Sequence, residues 1–214
     1  MVQAILECIK RARNRDYRVE CEVDAGVGIA DIVLCKRARN SSRALRALAG
    51  ITPRLAVLLD REVGTSVTSI GELAACIGAS KSSAQRLLSQ LYAAGLARPT
   101  SIGFAIASVA TPPFQKIIAV EAKLSNWQHA LVQAYRNFQF ADESWVVLDH
   151  RFARPAIAQI DRFKTSGVGL VSIDRALGLF VHHTADNSGP VSLGKRWQAQ
   201  AVLASRSKNS LSLT

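Results

Sequence analysis

Two short apolar runs, rich in Ile and Val and about 80 residues apart, constrain this chain more than any other feature. The first is Ile29, Ala30, Asp31, Ile32, Val33 and Leu34, entered through Gly28; the second is Ile117, Ile118, Ala119, Val120, Glu121, Ala122, Lys123 and Leu124. Their length and β-branched content predict buried strands. Each still carries charge inside it, which costs desolvation free energy unless something offsets it. The two-residue period of a strand turns Glu121 and Lys123 to one face and Ala122 to the other. A divalent cation held by Asp31 and Glu121 would offset the burial, with Lys123 beside it as a proton handler. The bland readings are a turn cap for Asp31 and a same-face ion pair for Glu121 and Lys123.

The flanking patterns extend this frame. Val2, Ile5, Leu6 and Ile9 recur at helical spacing across residues 1–14, and Lys10, Arg11, Arg13 and Arg15 gather at the end, where cations suit the helix dipole. Residues 17–23 alternate as a strand, residues 24–28 turn with two glycines, and residues 29–35 return as a hairpin partner presenting Asp31. After Lys123, Trp127, Leu131, Ala134 and Phe138 form a helical core stripe. A helix over 155–164 and two late strands over 167–173 and 179–183 extend or edge the sheet. His182 and His183 are neighbours that face opposite ways, so neither is expected to be catalytic. A last helix starts near Arg196.

An Asp after a small apolar turn, then Glu121-Ala122-Lys123 on a neighbouring strand, then a helix and a third strand, resembles the PD-(D/E)XK nuclease superfamily. The likeness covers roughly residues 1–45 and 112–182. It implies an α/β fold, a restriction-endonuclease-like mixed sheet flanked by helices, and a Mg²⁺ or Mn²⁺ site formed by Asp31, Glu121 and the Ala122 carbonyl. Many relatives add a carboxylate from the first helix, which would be Glu7, with Glu20 and Glu22 as rivals on the first strand. Relatives with a Q-x-x-x-Y motif bring its Gln and Tyr to the site or the DNA. Here Gln133 is followed four residues later by Asn137, a departure from that pattern.

The family needs only a short connection between the two strands, so the segment between them is an insertion. Pro53 opens a predicted helix carrying Leu55, Leu58 and Leu59; a second helix spans 70–77 and ends at Gly78; Ser80 is placed to cap a third over 81–94. An alternating stretch over 97–107 turns at 101–103. Residues 52–108 resemble a winged helix-turn-helix of the bacterial regulator type, which divides the chain into a nuclease core at 1–45 and 112–204, the insert, and a loose tail at 205–214. On that reading Lys81, Ser82, Gln85, Arg86 and Ser89 face outward as candidate base and phosphate contacts. The insert either reads DNA or forms a homodimer contact.

Charge favours a polyanionic partner: 27 Lys and Arg against 16 Asp and Glu give +11, with a pI near 10.1. Residues 53–107 hold five cations and three anions, so the rest of the chain carries most of the excess. This places the expected backbone grip near Lys10, Arg11, Arg13, Arg15 and Arg18, and near Lys36, Arg37, Arg39, Arg43 and Arg46. No apolar run approaches the roughly 18 residues of a membrane span, and the start lacks a signal-peptide pattern, so a cytoplasmic protein with no membrane partner is expected. Cys8, Cys21, Cys35 and Cys76 lack metal-ligand spacing and read as small buried hydrophobes. There is no Gly-rich phosphate loop and no Ser-His-Asp order, and no organic cofactor is expected. The functional expectation is a Mg²⁺-dependent DNA endonuclease, with Asp31, Glu121, Lys123, Glu7 and Gln133 as candidate catalytic residues. The alternative is a non-catalytic DNA-binding or regulatory protein that keeps the nuclease-like scaffold.

Overall fold

The computed structural model describes residues 1–11, 16–60, 64, 66–107 and 111–211. By its internal contacts the chain forms two compact units, Met1–Arg37 with Gln115–Ser192, and Ala38–Phe114 with Leu193–Thr214. The architecture is mixed α/β.

The first unit is built on a six-stranded mixed sheet. Strands β1 (Tyr17–Asp24) and β2 (Ile29–Arg37) form an antiparallel hairpin, in register from Tyr17 opposite Lys36 to Asp24 opposite Ile29. The Asp24 carboxylate shapes the turn by accepting from the Gly26 amide at 2.7 Å. β5 (Phe114–Lys123), β6 (Glu143–Asp149) and β7 (Gly169–Asp174) run parallel, and β8 (Gly178–His183) closes the far edge antiparallel to β7. The order is β1, β2, β5, β6, β7, β8, with β3 (Ala97–Thr100) and β4 (Gly103–Ile106) lying in the second unit.

Strand alternation sorts the side chains into two cores. On one face Ile32, Val120, Ala122, Val147, Val171 and Ile173 pack with Ile5 of helix α1 (Val2–Arg11). On the other, Val146, Leu148 and Leu170 pack with Ala130, Ala134 and Phe138 around helix α5 (Trp127–Asn137), and with Phe163. Each fully buried Ile, Leu or Phe contributes roughly 1.5–3 kcal/mol. Because Val120 and Ala122 face α1, Glu121 and Lys123 face α5. The helix expected over 155–164 is two short ones, α6 (Arg154–Ile157) and α7 (Ile160–Ser166). Gln159, at φ −115° and ψ 30°, leaves the helical region between them.

In the second unit, α2 (Ser42–Leu48) precedes Pro53–Leu59, which is a 3₁₀-helix where an α-helix was expected. Side chains three apart eclipse in that geometry, so Leu55 with Leu58, and Ala56 with Leu59, form two buried rows. Helix α3 (Ile70–Ile77) starts from a capping box between Ser69 and Glu72 and ends at Gly78, whose φ of 60° is the left-handed conformation that glycine adopts without strain. Ser80 then caps α4 (Lys81–Ala93), accepting from the Ser83 amide at 3.2 Å. The hairpin of β3 (Ala97–Thr100) and β4 (Gly103–Ile106) follows.

The loose tail expected over 205–214 is instead largely helical: α8 spans Leu193–Leu211 and packs on the 3₁₀-helix and α2. Within it two serines bond back onto the helix, Ser205 donating to the Val202 carbonyl at 2.8 Å and Ser207 to the Leu203 carbonyl at 2.9 Å. Buried Gln200 of α8 pairs with both backbone groups of Phe114, at 2.9 and 2.7 Å.

This division moves the charge. The second unit contains twelve Lys and Arg against three acids, +9, and the first unit fifteen against thirteen, +2. The excess expected on the sheet-bearing part therefore lies with the helical unit, because α2 and α8 belong to it. Of the cysteines only Cys35 is buried, and Cys76 is exposed. Among the described residues no helix is long and apolar enough to cross a membrane.

Candidate active site

Asp31 projects from β2 toward β5, and its Oδ2 accepts from the Ala122 backbone amide and from Lys123 Nζ, both at 2.8 Å. A side chain thus takes the Ala122 amide that a ladder carbonyl would otherwise bind. A strand residue aims its amide and carbonyl at the same neighbour, so the Ala122 carbonyl also faces the β2 side. Asp31 and Lys123 are each 26% exposed, whereas the Glu121 side chain is 1% exposed. Glu121 Oε1 accepts from the Asn137 amide at 2.9 Å. Its Oε2 lies 3.5 Å from Lys123 Nζ and has no hydrogen bond.

Two carboxylates therefore share one ammonium in a partly desolvated pocket. The Glu121 carboxyl is pushed above the ordinary carboxylate range, first by burial and then, against the opposing Asn137 bond, by the neighbouring Asp31 charge; Lys123 also opposes the rise. An orphaned buried carboxylate oxygen beside a surplus negative charge fits a hard cation. The fit is to an ion that keeps waters and takes one or two carboxylates, as Mg²⁺ does. Among the described residues no group of three or more His, Cys, Asp or Glu is assembled for a metal; the oxygens such an ion could meet at this cluster are those of Asp31, Glu121 and the Ala122 carbonyl.

The structure brings Asp31, Glu121, Ala122 and Lys123 together. Gln133 lies one helical turn before Asn137 on α5, so the two share a face, and Gln133 Oε1 is a second buried oxygen without a hydrogen bond. Glu7 is not brought to the cluster. It is exposed on α1, accepts from Gln3 at 3.3 Å, and lines a cleft with Ile173, Asp174 and Arg175; α1 packs on the sheet face away from Glu121. Of the rivals, Glu20 pairs with Arg18. Glu22 falls between the register pairs Cys21 with Ile32 and Val23 with Ala30, opposite Asp31, at a left-handed φ of 52°.

Asn137 is the residue that sequence reasoning passed over. Its signal was present: Ala130, Ala134 and Asn137 recur at steps of four and three, which puts an amide on a core-facing stripe that needs a buried partner.

The carboxyl ends of β5, β6 and β7 open into a cleft of about 390 Å³ lined by Leu124, Asp149, Arg151, Asp174 and Arg175 among others. Asp149 grips Arg151 through both oxygens, at 3.0 and 2.8 Å, and this pairing holds its carboxyl down at about 2. Buried Ser172 bridges His150 Nδ1 at 2.8 Å and His182 Nε2 at 2.7 Å. Burial, followed by the charge of His150, lowers the His182 pKa.

Of the other candidates, Lys36 is paired with Asp16 at 2.9 Å, and Arg37 and Arg39 are exposed. Lys81, Ser82, Gln85 and Arg86 are exposed on α4, with Arg86 reaching Ser83 at 3.3 Å. The side chains of Lys10, Arg11, Arg13 and Arg15 lie outside the described residues. No protein-family model matches the chain, and neither the curated proteins nor the solved structures contain a match.

Proposed function

We propose that this protein is a metal-dependent DNA endonuclease of the PD-(D/E)XK type, hydrolysing phosphodiester bonds at the cluster of Asp31, Glu121 and Lys123. The observation that carries this reading is the buried Oε2 of Glu121, which has no hydrogen bond and only a 3.5 Å ion pair with the same Lys123 that also serves Asp31. A structural ion pair needs no surplus acid there, whereas a cation ligand does. When bound, the ion supplies a more acidic water and neutralises charge building on the phosphate.

The chain's own groups divide the remaining work. Asp31 and Glu121 would hold the cation, and the Asn137 amide, bonded to Oε1 of Glu121 at 2.9 Å, leaves Oε2 for it. Lys123, which donates to Asp31 at 2.8 Å, would donate to the phosphate or orient the attacking water. The helix pair α3 and α4 with the hairpin β3–β4 supports a winged-helix reading of the second unit, in which Lys81, Ser82, Gln85 and Arg86 face DNA. A homodimer contact is the competing use of that surface.

The non-catalytic, DNA-binding reading draws support from the +9 charge of the unit that lacks the cluster. Labelled duplex, nicked, branched and single-stranded DNAs incubated with Mg²⁺ or Mn²⁺ separate the two. Cutting by the wild type that EDTA, Lys123→Ala and Asp31→Asn each abolish is the expected result. Binding without cutting on every substrate would leave the regulatory reading in its place.

A further inference from the structure

We infer that the cleft between α2 and the C-terminal end of α4 holds the sugar-phosphate backbone of a nucleic acid, with Arg43 and Arg46 as its phosphate contacts. The inference rests on the nucleic-acid reading above but not on the cluster at Asp31, which lies in the other unit.

The cleft, of about 590 Å³, is lined by Asn40, Arg43 and Arg46, by Ala93 and Ala94, and by Thr111, with further small apolar residues. Two guanidinium groups and no carboxylate face it. Arg43 and Arg46, three apart on α2, share one side of the helix and are both exposed. Among the described residues neither is in an ion pair. The described acids of this unit are Asp60 and Glu72, and Glu72 is spent in the capping box, accepting from the Thr68 and Ser69 amides at 2.8 and 3.0 Å. The unit's +9 is therefore left largely uncompensated from within, and a polyanion is the partner that neutralises it.

The shape agrees with the charge. The alanine-lined walls present methyl groups, which admit a backbone strand closely without demanding a particular base. The cleft also continues a surface already facing outward. Ser82, Arg86, Ser89 and Ala93 recur at steps of four, three and four along α4 and are all exposed. At 1.5 Å per residue that stripe runs for roughly 16 Å, and Ala93 is both its last member and part of the cleft wall. A strand contacted along α4 thus passes into the cleft, where Arg43 and Arg46 take consecutive or facing phosphates. Guanidinium suits this use, because its planar fork pairs with phosphate in two-point fashion.

The test uses the full chain carrying Lys123→Ala, in EDTA, with a labelled random-sequence duplex read by fluorescence anisotropy across a salt series. Arg43→Gln with Arg46→Gln is expected to weaken binding several-fold and to reduce the slope of log affinity against log salt by about 1.8, at about 0.9 per phosphate released. Arg43→Lys with Arg46→Lys is expected to keep most of that slope. A Gln pair with wild-type affinity and slope overturns the inference. So does a Gln pair that turns a dimer into a monomer by light scattering while the slope stands, since the cleft would then be an interface between copies. Wild-type protein that cuts no substrate, but whose Gln pair loses the slope, removes the nuclease reading and leaves this one intact.

Discussion

The side-chain amide of Asn137 donates to Oε1 of Glu121 at 2.9 Å, joining two groups that are 3% and 1% exposed. That single bond decides which oxygen of Glu121 is occupied and which is left over. Asn137→Ala would leave both oxygens without a neutral donor in a desolvated site. The expected cost is about 1–3 kcal/mol, read as a lower denaturant midpoint with an unchanged slope. Asn137→Asp would add a third carboxylate and cost more at pH 7, with part of the loss recovered in acid as the cluster protonates. If the nuclease reading holds, Asn137→Ala also lowers kcat more than it raises KM, because it loosens a ligand and not a substrate contact.

Glu121 makes stability depend on pH in a direction opposite to the usual surface carboxylate. Its folded pKa is raised, chiefly by burial, so the folded state holds the proton more tightly than the unfolded chain. The associated stability is fully present below the unfolded value of about 4.3 and is lost as pH rises through the raised folded value. Glu121→Gln keeps the Asn137 acceptor and removes the buried charge. Its melting temperature should exceed that of the wild type at pH 7, and the gap should close below about pH 4. A Gln variant less stable than the wild type at both pH values would mean that the carboxylate's charge is fully compensated where it sits.

A cation at the cluster should reveal itself without any substrate. A ligand that binds only the folded state stabilises it by roughly 2.7 kcal/mol at 100 times its dissociation constant. Thermal melts of the wild type in rising Mg²⁺ are expected to shift upward, and those of Asp31→Asn and Glu121→Gln to stay flat. Parallel shifts in all three proteins would place the ion elsewhere.

Much of this site was legible from one strand. Two charges at a period of two inside an apolar run put Glu121 and Lys123 on one face, and the Asp31 run supplied a second apolar segment with a carboxylate inside it. The turn between α3 and α4 was equally plain, because Gly78 and Ser80 are the residue types their backbone positions require. What stayed hidden depends on contacts distant in sequence or on geometry that periodicity does not encode. Glu7 has helical spacing suited to a ligand, yet Ile5 ties α1 to the wrong face of the sheet. Glu22 reaches the position opposite Asp31 through the hairpin register. The charge of the helical unit became visible only once α8, more than 140 residues downstream of α2, was seen to pack against it.

Division of labour along α4 gives a further test. Gln85 and Arg86 are exposed one after the other on its first half, which on the winged-helix reading proposed above is the part that reaches base edges. Gln85→Ala and Arg86→Ala should narrow the affinity difference between preferred and random sequences, by about 1–3 kcal/mol for a lost two-point base contact. The Arg43 and Arg46 substitutions should weaken both kinds of sequence alike. A selection experiment on randomised duplexes that returns the same preference from the Gln85 and Arg86 variants would assign α4 to phosphate contact alone.

Gly169 and Trp145 face each other across β6 and β7, and the indole occupies the space that any side chain at Gly169 would need. A Cβ there would fall 2.3 Å from the ring, far inside van der Waals contact. The ring has little freedom to retreat, since its Nε1 donates to Glu143 at 3.1 Å and Glu143 in turn pairs with Lys116 at 2.8 Å. Gly169→Ala should therefore cost about 1–3 kcal/mol by overpacking, despite its favourable effect on the entropy of the unfolded chain. The clash makes a specific claim about coupling. In a Trp145→Leu background the smaller side chain vacates the space, and Gly169→Ala should become nearly neutral, giving a favourable interaction free energy in the double-mutant cycle. Additive losses would mean that Gly169 is required by its backbone and not by its neighbour.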